Sequence, residues 1–203
     1  MGELLLDRRL LAQILAPPPK LLFRDQQLSR ARELVGERAS FIVLGSVGTG
    51  KTTLARMAVQ GLEGVVYVDC GASRTYQSLR RKLAAGGALY ILDDYSLALR
   101  APALKSLVRS LEPKIVVVHP PLVHEELEGV ETVEMPPYTL EELREIVRER
   151  VVRLNLPLDD EDVEAAAYQG FRRGGNARVA LMTLAHRCAL RLRARRWWFK
   201  GAL

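Results

Sequence analysis

The most specific motif in this 203-residue chain is the octapeptide Gly45-Ser46-Val47-Gly48-Thr49-Gly50-Lys51-Thr52. It follows the apolar run SFIVL (40–44) and precedes the helical run TTLARMAVQGL (52–62). Its glycines let consecutive backbone N–H groups turn inward on phosphates, its lysine neutralises phosphate oxygens, and its last hydroxyl can ligate Mg²⁺. The pattern therefore predicts a nucleoside triphosphate site with Mg²⁺, whose candidate ligands are Gly45, Val47, Gly48, Thr49, Gly50, Lys51 and Thr52.

Other apolar runs predict the rest of a sheet, at 65–68, 88–92, 115–118 and, less purely, 130–135. Five buried runs joined by helical segments are typical of a parallel α/β sheet. After Pro136-Pro137 only helical patterns occur. Thr139 and Glu142 form a capping box at the first helix, the second helix begins at Asp159 or Asp160, and the third begins near Asn176. We expect an α/β core over 1–137 and a helical domain over 138–203.

Two carboxylates follow the third predicted strand. Asp93 stands where a carboxylate reaches Mg²⁺, and Asp94 stands where a base for an attacking water would be. A pair of solvated turn residues is the alternative interpretation, and it fits Asp94 better than Asp93.

Four stretches carry a resemblance to a known family. They are LLFRDQQLSRARELV (21–35), the phosphate loop, PPYTLEELREIVRERV (136–151) and GGNARVALMTLAHRCA (174–189). In this order they resemble the AAA+ ATPases, and in detail the origin-recognition initiators of archaea and eukaryotes, in a short form without the winged-helix domain. The resemblance implies a five-stranded core, a three-helix lid, and ATP or ADP with Mg²⁺ at their junction.

The resemblance also implies roles for single residues, and it adds Thr53 to the residues that would bind the phosphates. Arg178 matches the arginine that reaches the γ-phosphate, and His119 stands in place of an Asn-like sensor, although a satisfied strand-end histidine is equally consistent. With Lys51 and Asp94 these make up the candidate catalytic set. Candidates for the adenine pocket, which could equally be plain core, are Leu22, Phe23, Tyr138 and Ile146.

The sequence departs from the family in several places. Asp94 replaces the usual Glu, no Arg or Lys lies between His119 and the PPY segment, where members carry an arginine finger, and only Gly71–Gly87 separate the second and third strands. We therefore expect a weak ATPase that acts as an ATP/ADP switch in DNA replication or another DNA transaction. An accessory subunit that works through a protein partner and a P-loop kinase of small molecules are the alternatives.

The net charge of +6 is unevenly spread. Residues 165–203 hold nine Arg and Lys and no Asp or Glu, with Arg187, Arg191 and Arg195 on one helical face. The tail aromatics Trp197, Trp198 and Phe199 could stack on nucleic acid, dock on a protein, or cap the lid core. This pattern permits DNA as a partner of the tail.

Two cysteines exclude a disulfide framework, and no apolar run is long enough for a membrane span. We predict a cytoplasmic protein.

Overall fold

The computed structural model describes residues 2–72, 75–84, 86–97, 102–121 and 127–200, and for 2–8, 97, 104 and 193–200 the backbone alone. The strands are β1 (Phe41–Gly45), β2 (Val65–Asp69), β3 (Leu89–Asp93), β4 (Lys114–Val118) and β5 (Glu131–Met135). The helices are α1 (Gly2–Leu15), α2 (Asp25–Gly36), α3 (Lys51–Ala58), α4 (Tyr76–Leu83), α5 (Pro102–Ser110), α6 (Leu140–Arg153), α7 (Asp160–Arg172) and α8 (Ala177–Lys200).

The five strands form one parallel sheet in the order β2-β3-β4-β1-β5, which confirms the predicted α/β class. The three central strands β3, β4 and β1 are the most buried, as their uninterrupted apolar runs require. Because the strands are parallel, the carboxyl ends of β1, β3 and β4 share one edge of the sheet. That edge holds Gly45, Asp93 and Val118.

Packing divides the chain into two compact units. The sheet unit comprises residues 24–46 and 50–136, and the helical unit comprises residues 1–23, 47–49 and 137–203. This division differs from a boundary at residue 137 alone, because Ile14 of α1 is 1% exposed and belongs to the hydrophobic core formed with α6, α7 and α8.

The helical unit begins each of two helices with a capping box. Thr139 and Glu142 cap α6 as predicted, and Asp159 and Asp162 cap α7 in the same way. Leu143, Val147 and Leu184 are fully buried between the helices. Capping and burial together fix where these helices start and which face each turns inward.

A buried guanidinium ties α1 into this unit. Arg150 is 1% exposed, and its Nη1 donates to the carbonyls of Gln13 at 3.2 Å, Ile14 at 2.6 Å and Ala16 at 2.8 Å. These carbonyls lie at the carboxyl end of α1, where the helix itself offers no donors. Burial lowers the pKa of Arg150 below the ordinary arginine value.

The predicted basic face of α8 is partly neutralised. Arg187 and Arg191 both donate to the buried carboxylate of Asp162, and Arg191 also donates to Asp159 at 2.6 Å. Two of the three arginines on that face therefore pair with carboxylates inside the unit. Arg195 and the tail aromatics Trp197, Trp198 and Phe199 have side chains outside the described part of the chain.

No helix among the described residues combines the length and apolar character needed to cross a bilayer.

Candidate nucleotide site

The phosphate loop begins where β1 ends and closes at the start of α3. Gly48 and Gly50 have φ values of 81° and 94°, in the left-handed region that glycine adopts without steric cost. Gly50 is the N-cap of α3, and its carbonyl accepts from the Leu54 N–H at 2.8 Å. The predicted glycines therefore stand where the loop turns and where the helix starts.

Lys51 is held beside this loop. The side chain is 5% exposed, and its ammonium donates to the carbonyl of Ser46 at 2.8 Å and lies 3.2 Å from Nδ1 of His119. Thr53, two residues further along α3, is half-buried. The structure thus keeps the positive charge of Lys51 close to the backbone that would receive phosphates.

Thr52 and Asp93 offer the oxygen atoms for a cation. The Thr52 hydroxyl donates to Oδ1 of Asp93 at 3.0 Å, and Asp93 is 5% exposed. Neighbouring ligands in an octahedral Mg²⁺ shell of about 2.1 Å radius lie roughly 3 Å apart. The spacing and hard oxygen character of this pair therefore fit Mg²⁺.

His119 bridges two charged side chains. Its Nε2 lies 3.0 Å from Oδ1 of Asp94, and its Nδ1 faces Lys51. Because an ammonium only donates, the network assigns the ring proton to Nε2, which donates to Asp94. Both ring nitrogens are satisfied, and the backbone N–H of His119 donates to the Ser96 hydroxyl at 2.8 Å.

Asp94 follows Asp93 in a left-handed conformation with φ of 51°. An aspartate tolerates this region better than most residues, at a cost in free energy that the surroundings must offset. Its backbone N–H donates to Asp93 Oδ1 at 3.1 Å, and its side chain turns to His119. Asp94, the predicted base for an attacking water, therefore already accepts a hydrogen bond from the His119 imidazole.

Tyr67 also contacts the site, although the sequence does not predict this contact. Its hydroxyl donates to Oδ2 of Asp93, and the guanidinium of Arg56 lies 4.3 Å from its ring centroid. Burial, followed by the hydrogen bond to Asp93, raises the pKa of Tyr67 to about 12. Nothing in the run VVYV marks this tyrosine, because its contact depends on which strand pairs with β2.

In the helical unit the start of α8 contacts the tip of the phosphate loop. The Ala177 N–H donates to the Gly48 carbonyl at 3.1 Å, and the Asn176 side chain caps α8 by accepting from Val179 N–H at 3.1 Å. A Cβ on Gly48 would lie 1.9 Å from Asn176 Oδ1. Gly48 is therefore needed for this contact as well as for its φ.

Arg178 is exposed in the first turn of α8, and within the described residues no hydrogen bond or ion pair reaches it. A cation in this position opposes the helix dipole, so local stability does not explain it.

The adenine candidates all lie in the helical unit. Tyr138 is 3% exposed in its core, and Ile146 packs against the same core. Phe23 is 42% exposed with φ of 59°, and Leu22 is half-buried. The structure therefore gives Tyr138 and Ile146 a packing role, while their contact with adenine stays a prediction.

The sheet order, the phosphate loop and the Thr52–Asp93 pair define a P-loop NTPase. The sequence profile of the AAA domain family matches residues 33–158, and the chain belongs to that family. Among curated protein sequences none is significantly similar to this chain.

Solved structures share the fold at low sequence identity. The RuvB Holliday junction branch migration motor of Thermotoga maritima has a TM-score of 0.62 and 20% identity, over 84% of this chain and 63% of that chain. A Walker-type ATPase of Pyrococcus abyssi has a TM-score of 0.55 and 12% identity, over 93% and 80%. NtrX of Brucella abortus has a TM-score of 0.59 and 13% identity, over 93% and 54%. This chain thus spans less than two thirds of the RuvB chain, and the likeness shows the AAA+ fold.

Proposed function

We propose that this protein binds ATP or ADP with Mg²⁺ and acts as a nucleotide-state switch with slow hydrolysis. The observation that carries the proposal is the contact of Asp94 with His119, which in turn faces Lys51. The Asp94 oxygen that accepts from His119 must give up this hydrogen bond before it can take a proton from an attacking water, so the contact slows hydrolysis.

The chain's own groups have distinct roles in this proposal. The loop N–H groups and Lys51 bind the phosphates, while Thr52 and Asp93 hold the cation. A bound Mg²⁺ would neutralise charge on the β- and γ-phosphates. Arg178 is the proposed additional contact to the γ-phosphate, which would separate ATP from ADP.

Two assays with the full chain test the proposal. A fluorescent ATP analogue and a fluorescent ADP analogue measure binding, and phosphate release measures turnover. Lys51→Ala should abolish binding, whereas Arg81→Ala, an exposed cation on α4, should leave it unchanged. Turnover well above one per minute would refute the slow switch, and absence of nucleotide binding would refute the whole proposal.

We further propose that the switch serves a DNA transaction, with DNA bound by the carboxyl-terminal tail. The sequence resemblance to replication initiators and the likeness to a branch migration motor support this proposal. Because Arg187 and Arg191 pair with carboxylates, the tail cations 193, 195, 196 and 200 are the better candidates for phosphate contacts.

A salt titration of DNA binding tests this role. Each phosphate contact adds roughly 0.9 to the slope of log affinity against log salt. A full chain with glutamine at these four positions should have a shallower slope than the unmodified chain. An unchanged slope would place DNA binding elsewhere. A variant with Trp197, Trp198 and Phe199 replaced tests the accessory-subunit role. If it binds DNA like the unmodified chain but no longer captures a partner protein, the accessory-subunit role is favoured.

A further inference from the structure

The side chains of Thr52, Arg56, Tyr67 and Asp93 form a cluster at the end of the phosphate loop. Thr52 and Arg56 lie one turn apart on α3 and therefore share a face of that helix. Thr52 donates to Oδ1 of Asp93 at 3.0 Å, Tyr67 donates to Oδ2, and Arg56 covers the Tyr67 ring at 4.3 Å. The cluster thus connects helix α3 with the neighbouring strands β2 and β3.

Strand register explains how Tyr67 reaches the carboxylate. In the β2–β3 pair Tyr67 lies opposite Ile91, and Asp69 lies opposite Asp93. Tyr67 is two residues before Asp69, so its side chain leaves the same face of the sheet as that of Asp93. A tyrosine is long enough to span this diagonal, and its hydroxyl arrives at the oxygen that Thr52 does not use.

Both oxygens of Asp93 are therefore occupied. Oδ1 accepts from Thr52 and from the backbone N–H of Asp94, and Oδ2 accepts from Tyr67. A cation that approaches Asp93 alone must compete with donors already in place, in a site that is 5% exposed. A carboxylate satisfied in this way holds a cation weakly unless further ligands join it.

We propose that Tyr67 is a positioning residue that keeps Oδ2 of Asp93 occupied and makes cation binding depend on the nucleotide phosphates. The inference rests on the proposed nucleotide site. Tyr67 lets Asp93 present Oδ1 with Thr52 to a nucleotide-bound Mg²⁺, and it suppresses binding of a free divalent cation. The divalent cation therefore binds at the loop together with the nucleotide and not before it.

The alternative is a structural hydrogen bond that only satisfies a buried carboxylate. In that case Tyr67→Phe would lower stability and leave cation affinity unchanged or reduced. Under the proposal the same change leaves Oδ2 without a donor, and a cation can supply the missing interaction. The two roles therefore predict opposite changes in affinity.

Binding of Mn²⁺ to the nucleotide-free full chain, measured by electron paramagnetic resonance, separates the positioning role of Tyr67 from the purely structural one. A hydrogen bond to a charged group accounts for roughly one to two decades in an equilibrium constant. Because water can partly replace the hydroxyl, we expect Tyr67→Phe to bind Mn²⁺ about tenfold more tightly than the unmodified protein. Tyr168→Phe, the same change at an exposed position on α7, should leave Mn²⁺ affinity unchanged.

Two further variants keep the test decisive. Adding Asp93→Asn to Tyr67→Phe should remove the gain, which shows that the Mn²⁺ sits at Asp93. Tyr67→Leu also lacks the hydroxyl and should shift the affinity in the same direction if the phenylalanine variant does not fold. Unchanged or weaker Mn²⁺ binding in the folded variant overturns the role of Tyr67.

The outcome is independent of the nucleotide assays. If the unmodified protein binds neither ATP nor ADP, the proposed function fails, whereas the Mn²⁺ measurement still reports on Tyr67. If nucleotide binds and the Mn²⁺ affinity of Tyr67→Phe does not rise, only the positioning role fails.

Discussion

Replacing Asp162 by Asn should destabilise the helical unit. The Asp162 side chain is 1% exposed and accepts from Arg187 and, at 3.1 Å, from Arg191, while it caps the backbone N–H of Asp159 at 3.4 Å. The substitution removes the negative charge and leaves a single acceptor oxygen for three donors.

The expected loss follows from the exposure of the partners. Removing one member of a fully buried pair costs about 3–5 kcal/mol. The Arg187 and Arg191 side chains are 30% and 46% exposed, so solvent screens part of the interaction. We expect a loss of about 2 kcal/mol in the free energy of unfolding. For a chain of this size that corresponds to roughly 4–8 °C in the midpoint of thermal unfolding.

The effect should depend on pH. Burial by itself raises the pKa of Asp162, but the hydrogen bond from Arg187, the backbone hydrogen bond at Asp159 and both arginine charges outweigh it and lower the pKa. A carboxyl with a depressed pKa in the folded state contributes stability above its unfolded pKa and loses that contribution as the pH falls through the folded value. The difference between the two proteins should therefore be full at pH 7 and shrink below about pH 4.

Urea unfolding followed by circular dichroism measures the difference. Asp160→Asn is the matched control, because Asp160 lies exposed in the same helical turn and should change the free energy by less than about 0.5 kcal/mol. A loss below about 0.5 kcal/mol for Asp162→Asn, or a loss that stays constant from pH 7 to pH 3, would contradict a stabilising role for the Asp162 charge.

Four further substitutions have defined outcomes. Gly48→Ala puts a Cβ 1.9 Å from Asn176 Oδ1 at a residue whose φ is 81°. It should lower the free energy of unfolding by at least about 1–2 kcal/mol, measured by thermal unfolding, and weaken binding of fluorescent ADP. Normal binding and stability would contradict the clash. Thr139→Ala removes the cap of α6 and should lower the free energy of unfolding in urea by about 1 kcal/mol. An unchanged free energy of unfolding would argue against the capping box. Asp94→Glu should raise the rate of phosphate release, and an unchanged rate would argue that Asp94 takes no part in hydrolysis. Arg178→Ala should weaken binding of ATP more than of ADP in fluorescence titrations, and an equal effect on both would argue against a γ-phosphate contact.

The sheet and the phosphate loop could be predicted because their signals are local. The central strands β1, β3 and β4 each contain a run of at least four apolar residues, and Gly50, Lys51 and Thr52 have fixed spacing to the strand and helix around them. The α6 cap was predictable for the same reason, since Thr139 and Glu142 are three residues apart. Local patterns report local geometry faithfully.

The contacts that the sequence does not predict join distant parts of the chain. Arg150 stands among exposed charged residues of α6, and its sequence pattern gives no sign of burial against α1. Asp162 lies in a first helical turn, where acidic residues are common on the surface, so its pairing with Arg187 is not marked. Tyr67 needs the pairing of β2 with β3 before its reach to Asp93 can be seen.

The bonds from Arg150 to the end of α1 bear on the order in which the protein is made. During synthesis α1 emerges from the ribosome before α6 to α8, and the sheet unit is made in between. At roughly 5–20 residues per second, α1 waits on the order of ten seconds before its partners exist. Ile14 has no core to bury it until α6 to α8 have been made, because most of its core partners lie in those helices. The nascent chain therefore carries an apolar side chain that a chaperone can bind and that a stop before α6 would leave uncovered.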